Sequence, residues 1–233
     1  MKFHILTDLK DFAWGGGNQF QKALKQYLIS KNIYVEEICD ADVVLANSHQ
    51  WGSRLWEVFQ LKRRNPDIII LHRLDGPVSV VRSNQSHLVV DKSIMSFNRR
   101  FVDGTVFQSK WSRSQCIEQG IDEKNKQVVI HNAPDPLIFY PPEKRYKSKK
   151  TRLVAVSWST NERKGFDIYK YLDDYLDFSK YSFTFIGKSP IDFHNIKHKS
   201  TMVSEKLADE LRKHDLFVHA SYMESCSNSL IEA

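Results

Sequence analysis

The chain has few cysteines, and their spacing excludes two common classes of small protein. Its 233 residues include only Cys39, Cys116 and Cys226, which form neither the close pairs of a zinc site nor a disulfide framework. An odd and sparse set of cysteines is typical of a reducing compartment. We therefore expect a cytoplasmic protein without a structural metal and without disulfides.

The chain also lacks long apolar runs and nucleic-acid motifs. No run comes near the ~20 apolar residues that cross a bilayer. The first residues, Met1 to Thr7, are typical of a short strand and not of a signal peptide. The net charge is +6, but no recognisable nucleic-acid-binding motif accompanies it. We expect neither a membrane span nor a nucleic-acid partner.

Basic residues form three clusters that allow two interpretations. The clusters are Lys62–Arg64, Arg99–Arg100 and Lys144–Arg152. In the first interpretation they are solvated helix faces and a linker, and we favour this interpretation for the last cluster. In the second they form a surface for anionic partners. Among such partners, peripheral contact with the inner face of a membrane is the sharper alternative.

Hydrophobic periodicity predicts an α/β protein with two domains. Strand patterns such as Val35–Ile38, Val43–Ala46 and Ile68–Leu71 alternate with helical patterns along both halves of the chain. A polar, basic segment that begins with two prolines separates the halves. We predict Rossmann-like domains at 1–140 and 153–233, joined by a linker at 141–152.

Polar residues that follow strands are the first candidates for a binding site, because ligands of open α/β sheets bind at the carboxyl ends of the strands. In the first half these are Gly15–Gly17, after the first strand, and His72, which is predicted to follow the strand Ile68–Leu71. Glycine lets the backbone approach a ligand closely. The Asp40-Ala41-Asp42 sequence precedes a buried strand, and we interpret it as a turn and not as a metal site.

The segment Glu224–Glu232 carries the strongest functional pattern. An apolar strand, Leu216–Ala220, leads into a polar turn, and Ser227 or Asn228 is a suitable N-cap for the helix that follows. A helix N-terminus favours phosphate. Carboxylates on either side of that phosphate suit the sugar and the ribose of a nucleotide sugar. The alternative is a capped helix with two exposed acidic residues.

This segment resembles the Glu-x7-Glu motif of the retaining "group 1" glycosyltransferases, which have the GT-B fold. Glu224 and Glu232 match the two glutamates of the motif, and Lys164-Gly165 matches the Lys-Gly of the same family. The family's Gly-Phe-Gly is replaced here by Ser225-Cys226-Ser227. Its Gly-Arg, expected before the lysine, is also missing, and Arg163 is the candidate replacement.

The resemblance implies a role for each matching residue. It implies that Glu224 contacts the donor sugar, that Glu232 contacts the ribose and that Lys164 neutralises the diphosphate. Asn228 and Ser229, at the helix start, would assist with the phosphate. In the first half, His72 matches an active-site histidine, and either Gly15-Gly16 or Gly16-Gly17 matches a glycine pair that faces the cleft.

As a whole, the resemblance implies a GT-B-like enzyme with two domains facing a cleft, the second incomplete because the chain ends one residue after Glu232. It implies sugar transfer from a nucleoside diphosphate sugar, with retention of configuration and no obligatory metal or other cofactor. The acceptor is a glycan, a lipid-linked molecule or a small molecule. Two alternatives stay open: an inactive or regulatory module that binds nucleotide sugars, and a phosphorylase or epimerase of the same fold.

Overall fold

The structure is a computed structural model that describes residues 1–10, 16–121, 126–144 and 148–233, apart from the side chain of Ser53. Gly15, one of the candidate glycines, lies outside the described residues, as do residues 145–147 of the predicted linker. The chain divides into two compact units. Unit 1 comprises residues 1–10 and 16–132, and unit 2 comprises the described residues from Ala133 to Ala233.

Unit 1 contains a parallel five-stranded sheet with its strands in chain order. The strands are β1 (Phe3–Ile5), β2 (Val43–Asn47), β3 (Ile69–Leu74), β4 (Gly104–Phe107) and β5 (Lys126–Val129). The helices of this unit are α1 (Gly16–Ser30), α2 (Leu55–Arg64), α3 (Val78–Arg82), α4 (Leu88–Phe101) and α5 (Lys110–Glu118). Every residue of β2 is buried, as expected for a parallel strand covered on both faces.

The predicted strand Val35–Ile38 is wrong. Tyr34 forms only an isolated parallel bridge to Phe3, and the chain then enters a 3-10 turn at Ile38–Asp40. The bridge nevertheless has a topological consequence. Phe3 also pairs with Val43 of β2, so the chain contacts β1 first on one edge and then on the other. The strand order therefore reverses between β1 and β2, where α/β sheets bind ligands.

Unit 2 contains a second parallel sheet, with the order β8-β7-β6-β9. Its strands are β6 (Thr151–Ser157), β7 (Tyr181–Gly187), β8 (Lys197–Lys199) and β9 (Leu216–Phe217). Its helices are α6 (Phe166–Tyr175), α7 (Ser204–Leu211) and α8 (Asn228–Glu232). From β6 the chain proceeds outward to β7 and β8 and then returns to the other edge of β6 as β9. The reversal of strand order in unit 2 therefore lies between β6 and β9.

Each unit has its own apolar core. Val44, Ile70, Leu74 and Phe107 are fully buried in unit 1, and Phe185 is fully buried in unit 2. These two cores and the parallel sheets confirm the predicted α/β class. None of the helices in the described part of the chain combines the length and the apolar character that a membrane span requires.

Candidate functional site

The loop after β6 carries the predicted diphosphate lysine. It forms a 3-10 turn at Glu162–Lys164, which begins where the side chain of Asn161 accepts a hydrogen bond from the backbone N–H of Arg163 at 2.9 Å. Gly165 follows with φ +73°, and a Cβ atom there would lie 2.1 Å from the carbonyl oxygen of Ala220. Only glycine fits this position, because the turn after β6 packs directly on the segment that follows β9.

Lys164 and Glu224 form an ion pair in which the Nζ atom donates to Oε1. The two side chains are 27% and 22% exposed, so a ligand in solvent can reach both. A backbone hydrogen bond of 2.9 Å from the N–H of Tyr222 to the carbonyl of Arg163 holds the same two segments together. The structure thus brings together two residues, 60 positions apart, at the reversal point between β6 and β9.

The short helix α8 begins as predicted. Ser227 is its N-cap, and the Oγ atom accepts a hydrogen bond of 3.4 Å from the N–H of Leu230. The candidate residues Asn228 and Ser229 are the first two residues of the helix and are partly buried. The cap is confirmed, whereas phosphate binding by these two residues stays a prediction.

Glu232 lies at the other end of α8, beside a cavity of about 270 Å³. Tyr140, Arg212 and His214 also line this cavity, but neither Lys164 nor Glu224 does. Burial raises the pKa of the Glu232 carboxyl to about 7. Glu232 therefore lines a cavity that the Lys164–Glu224 pair does not line. Its predicted contact with the ribose stays a prediction.

In unit 1, the prediction that His72 follows the end of a strand is wrong. Strand β3 continues to Leu74, and His72 pairs with Ala46 and Thr105 inside the sheet. The strand is longer because His72 and Arg73 form hydrogen bonds with buried partners, which allows polar residues to continue the strand. An apolar sequence pattern does not reveal those partners.

The His72 ring is fully buried, and both of its nitrogen atoms have partners. Nε2 lies 2.8 Å from the carbonyl oxygen of Ser48, which can only accept, so this nitrogen carries the proton. Nδ1 then accepts from the side-chain amide of Asn98 at 3.2 Å. Burial lowers the pKa of His72 to about 4, which keeps the ring neutral. The catalytic role predicted for His72 stays a prediction, and this geometry gives it no support.

The candidate glycines of unit 1 form the start of α1, on the carboxyl side of β1. A Cβ atom on Gly17 would lie 2.9 Å from the side-chain amide nitrogen of Gln50 and 3.2 Å from that of Asn47. Asn47 ends β2, so these contacts lie at the reversal point between β1 and β2. Gly17 thus permits a close approach, which in this structure is made to two amide side chains, and Gly16 is the first residue of α1.

Sequence reasoning missed a buried arginine at the same edge of the unit 1 sheet. Arg73 is 3% exposed. Its Nη1 atom donates to Asn47 at 2.6 Å and to Asp75 at 2.5 Å. Its Nη2 atom donates to Gln108 at 3.0 Å and to Asn132 at 2.8 Å. The guanidinium therefore ties together the carboxyl ends of β2, β3, β4 and β5. The signal in the sequence was a charged residue two positions after the apolar run Ile68–Leu71.

Asp75 is the part of this cluster that reaches solvent, with its side chain 33% exposed. Its backbone N–H donates to the Ser48 hydroxyl at 3.1 Å, and its carbonyl accepts from Gln108 at 2.9 Å. Arg73, which fixes the carboxylate, also stacks on the ring of Phe20 at 4.1 Å. Asp75 is thus a carboxylate held rigidly at the carboxyl edge of the sheet, where open α/β sheets generally bind ligands. Polar and aromatic groups of this kind suit a hydroxyl-rich ligand.

The described residues contain no group of three or more His, Cys, Asp or Glu side chains that could hold a metal ion. Asp42, from the Asp40-Ala41-Asp42 sequence, instead accepts a hydrogen bond of 2.6 Å from the backbone N–H of Lys2.

Comparisons with known proteins relate the chain to solved structures only. No protein-family model matches the chain, and comparison with curated proteins finds no match. The chain resembles the crystal structure of HepE from Anabaena in complex with UDP, with a TM-score of 0.69 and 14% identity over 100% of this chain and 78% of HepE. The HepE complex with UDP-glucose gives a TM-score of 0.70 and 13% identity, over 100% and 77% of the two chains. At these identities the likeness establishes a shared fold.

Proposed function

We propose that this protein is a glycosyltransferase that uses a nucleoside diphosphate sugar as donor and retains the configuration of the transferred sugar. The HepE structures of the same fold were solved with UDP and UDP-glucose, which makes a uridine nucleotide the first donor to test. In this proposal the two units are the domains of a GT-B enzyme. Unit 2 binds the donor and unit 1 binds the acceptor, which is a glycan, a lipid-linked molecule or a small molecule.

The observation that carries the proposal is the Lys164–Glu224 pair at the reversal point of the unit 2 sheet. A lysine ammonium at such a point suits a diphosphate. A neighbouring carboxylate suits sugar hydroxyls and disfavours negative charge at its own position. One cation beside one carboxylate therefore matches a ligand in which a diphosphate is joined to a neutral sugar.

The proposed chemistry uses this pair directly. The bond between the anomeric carbon and the diphosphate oxygen breaks, and the acceptor oxygen forms the new bond on the same face of the sugar. The acceptor proton passes to the departing diphosphate. Lys164 stabilises the charge that develops on the diphosphate, while Glu224 orients the sugar by its hydroxyls. Arg163, Asn228 and Ser229 are the further candidates for the phosphates.

Unit 1 supplies residues for the acceptor and two glycines for the donor. Asp75, fixed by Arg73, is a candidate for binding acceptor hydroxyls, and Gly16 and Gly17 are candidates for close contact with the donor. His72 is proposed only to support this edge from within the sheet, because its ring is buried. None of these roles depends on a metal ion.

A ligand panel followed by a product assay tests the proposal. A ligand that binds only the native state at 100 times its Kd stabilises it by about 2.7 kcal/mol. We expect UDP-glucose and UDP, but not uridine, to raise the unfolding temperature in a thermal-shift experiment. Release of UDP from UDP-glucose would then separate an enzyme from an inactive binding module. A requirement for inorganic phosphate would indicate a phosphorylase, and interconversion of nucleotide sugars without an acceptor would indicate an epimerase. Absence of any nucleotide effect contradicts the proposal.

A further inference from the structure

Helix α2 of unit 1 exposes two aromatic rings to solvent. Trp56 is 61% exposed and Phe59 is 36% exposed, and their rings stack with centroids 5.0 Å apart. Residues three apart lie on the same helix face, and Arg63, four residues after Phe59, extends this face by one turn. Val58 and Leu61 are buried on the other side. The exposed rings are therefore not part of the packing that holds α2 to the sheet.

Two basic clusters that are far apart in sequence come together beside these rings. Lys62–Arg64 ends α2, and Arg99–Arg100 lies at the end of α4. A cavity of about 330 Å³ joins the two helix ends, and its lining residues are Phe59, Lys62, Arg63, Arg100, Phe101, Val102 and Asp103. We call the surface formed by Trp56, Phe59, Lys62–Arg64 and Arg99–Arg100 the aromatic–basic face.

The positive charge of this face is largely uncompensated. Asp103 pairs with Lys62 at 2.8 Å, and Glu57 pairs with Arg54 at 2.9 Å, so the neighbouring acidic residues are already engaged. Arg63, Arg64, Arg99 and Arg100 form no ion pair with any residue in the described part of the chain.

A purely local explanation does not account for all of these features. Cations at a helix C-terminus stabilise the helix through its dipole, which gives the arginines a structural reason. That effect gives no reason for a stacked Trp–Phe pair in solvent on the same face. A soluble polyanion would be attracted by the arginines alone. Aromatic rings beside basic residues are instead the combination that enters the headgroup region of an anionic bilayer.

We propose that the aromatic–basic face docks on the surface of a membrane that contains anionic phospholipid. The arginines contact lipid phosphates, Trp56 and Phe59 enter the headgroup layer, and the cavity beside Phe59 accommodates a headgroup. The complementary charge of the four unpaired arginines is the main argument for this partner. The inference does not depend on the proposed transferase activity, because no residue of this face belongs to the candidate sites of either unit.

Co-sedimentation of the full chain with vesicles tests this inference. We expect binding to vesicles of phosphatidylcholine mixed with phosphatidylglycerol, no binding to phosphatidylcholine alone, and weaker binding at high salt. A basic residue near such a surface contributes ~1 kcal/mol. The double variant Arg63→Gln with Arg100→Gln should therefore lower partitioning roughly 30-fold. Trp56→Ser with Phe59→Ser should lower it at least roughly tenfold, because both rings leave the headgroup layer.

Two matched controls isolate the face. Lys197→Gln with Lys206→Gln removes the same charge from exposed positions in unit 2. Tyr171→Ser with Tyr175→Ser removes another exposed ring pair, whose centroids are 4.9 Å apart on α6. Both controls should bind vesicles like the wild type. Circular dichroism checks that every variant is folded.

Three outcomes would overturn the inference. They are equal binding to neutral and anionic vesicles, equal losses in the test and control variants, and retention on heparin without vesicle binding. The last result would assign the face to a soluble polyanion. Donor affinity is measured in parallel, and an unchanged value in the test variants separates this inference from the proposed function.

Discussion

Lys164 and Glu224 are ion-paired across the point where the strand order of unit 2 reverses. The predicted roles of the two residues were separate, one at the diphosphate and one at the sugar. Their contact means that a phosphate must compete with Glu224 for the ammonium group of Lys164. The pair is partly exposed, so its net contribution to stability is small and a charged ligand can displace it.

The first prediction concerns this competition. Glu224→Gln removes the competing charge, so we expect UDP to bind several-fold more tightly than to the wild type. UDP-glucose should gain less, because its sugar loses the carboxylate. Calorimetric titration of both ligands gives the two affinities. Glu162→Gln, in the same turn as Lys164, is the charge-matched control and should change neither. Equal losses for both ligands in Glu224→Gln would contradict the division of roles.

The second prediction uses the raised pKa of Glu232. Because that pKa is about 7, the carboxyl group is mostly protonated at pH 6 and mostly ionised at pH 8. If it accepts hydrogen bonds from the ribose, UDP-glucose affinity should increase from pH 6 to pH 8. UDP-glucose is the suitable ligand because its diphosphate has no terminal phosphate that titrates in this range.

Glu232→Gln should abolish this pH dependence and weaken UDP and UDP-glucose alike. The same variant should leave the preference between the two ligands unchanged, since the ribose is common to both. A wild-type affinity and pH profile in Glu232→Gln would leave the cavity beside Tyr140 and Arg212 as a structural feature of unit 2.

The third prediction concerns the stability of unit 1. The pKa of His72 is lowered to about 4 in the folded protein, from 6.5. Between these values the unfolded chain binds a proton at His72 that the folded protein does not bind. The free energy of unfolding therefore rises as the pH increases from 4 to 6.5, and this contribution of His72 is lost as the pH falls. The loss amounts to up to about 3 kcal/mol.

His72→Ala tests this assignment. It should lower the free energy of unfolding at pH 7 by about 2–4 kcal/mol, because a cavity forms and the Ser48 carbonyl loses its donor. It should also weaken the acid dependence by the contribution of His72, whereas the exposed His131→Ala should do neither. Denaturant unfolding at several pH values measures both effects. A stable variant that has lost only turnover would restore the catalytic role predicted from the sequence.

The fourth prediction separates backbone strain from steric overlap at Gly165. Gly165→Ala places a Cβ atom 2.1 Å from the Ala220 carbonyl oxygen at a φ of +73°. We expect a loss of roughly 2–4 kcal/mol in the free energy of unfolding, from strain and overlap together. Gly52→Ala has a φ of +55° and open space around the new atom, so it should lose only about 1–2 kcal/mol. Equal losses would show that the contact with Ala220 is unimportant.

The fold class was predictable because parallel strands buried on both faces leave continuous apolar runs such as Val43–Ala46. The predicted strand Val35–Ile38 failed because only Tyr34, the residue before it, forms a bridge to β1, and the two apolar residues of the segment are separated by Glu36 and Glu37. The end of β3 was missed because polar residues can continue a buried strand when other elements supply their hydrogen bonds. No local pattern predicts those partners.

The candidate site was predictable to a similar degree. The family resemblance singled out Lys164 and Glu224 as candidates, and the topology brings them together. The sequence motif did not reveal that the two side chains form an ion pair, because a contact between residues 60 positions apart depends on packing. The Arg73 cluster was missed for the same reason, since its partners come from the ends of four separate strands.

The central claim is that the reversal point between β6 and β9 binds the diphosphate of a nucleotide sugar. Calorimetric titration of UDP-glucose into the wild type, Lys164→Ala and Lys180→Ala tests it most directly. Lys180 directly precedes β7, at the amino edge of the sheet, where it pairs with Asp177 at 3.1 Å, and it serves as the matched control. Loss of one charge-assisted contact costs about 1.5–3 kcal/mol, so Lys164→Ala should bind roughly 10- to 150-fold more weakly, and Lys180→Ala should bind like the wild type. Equal affinity in the wild type and Lys164→Ala would contradict the account.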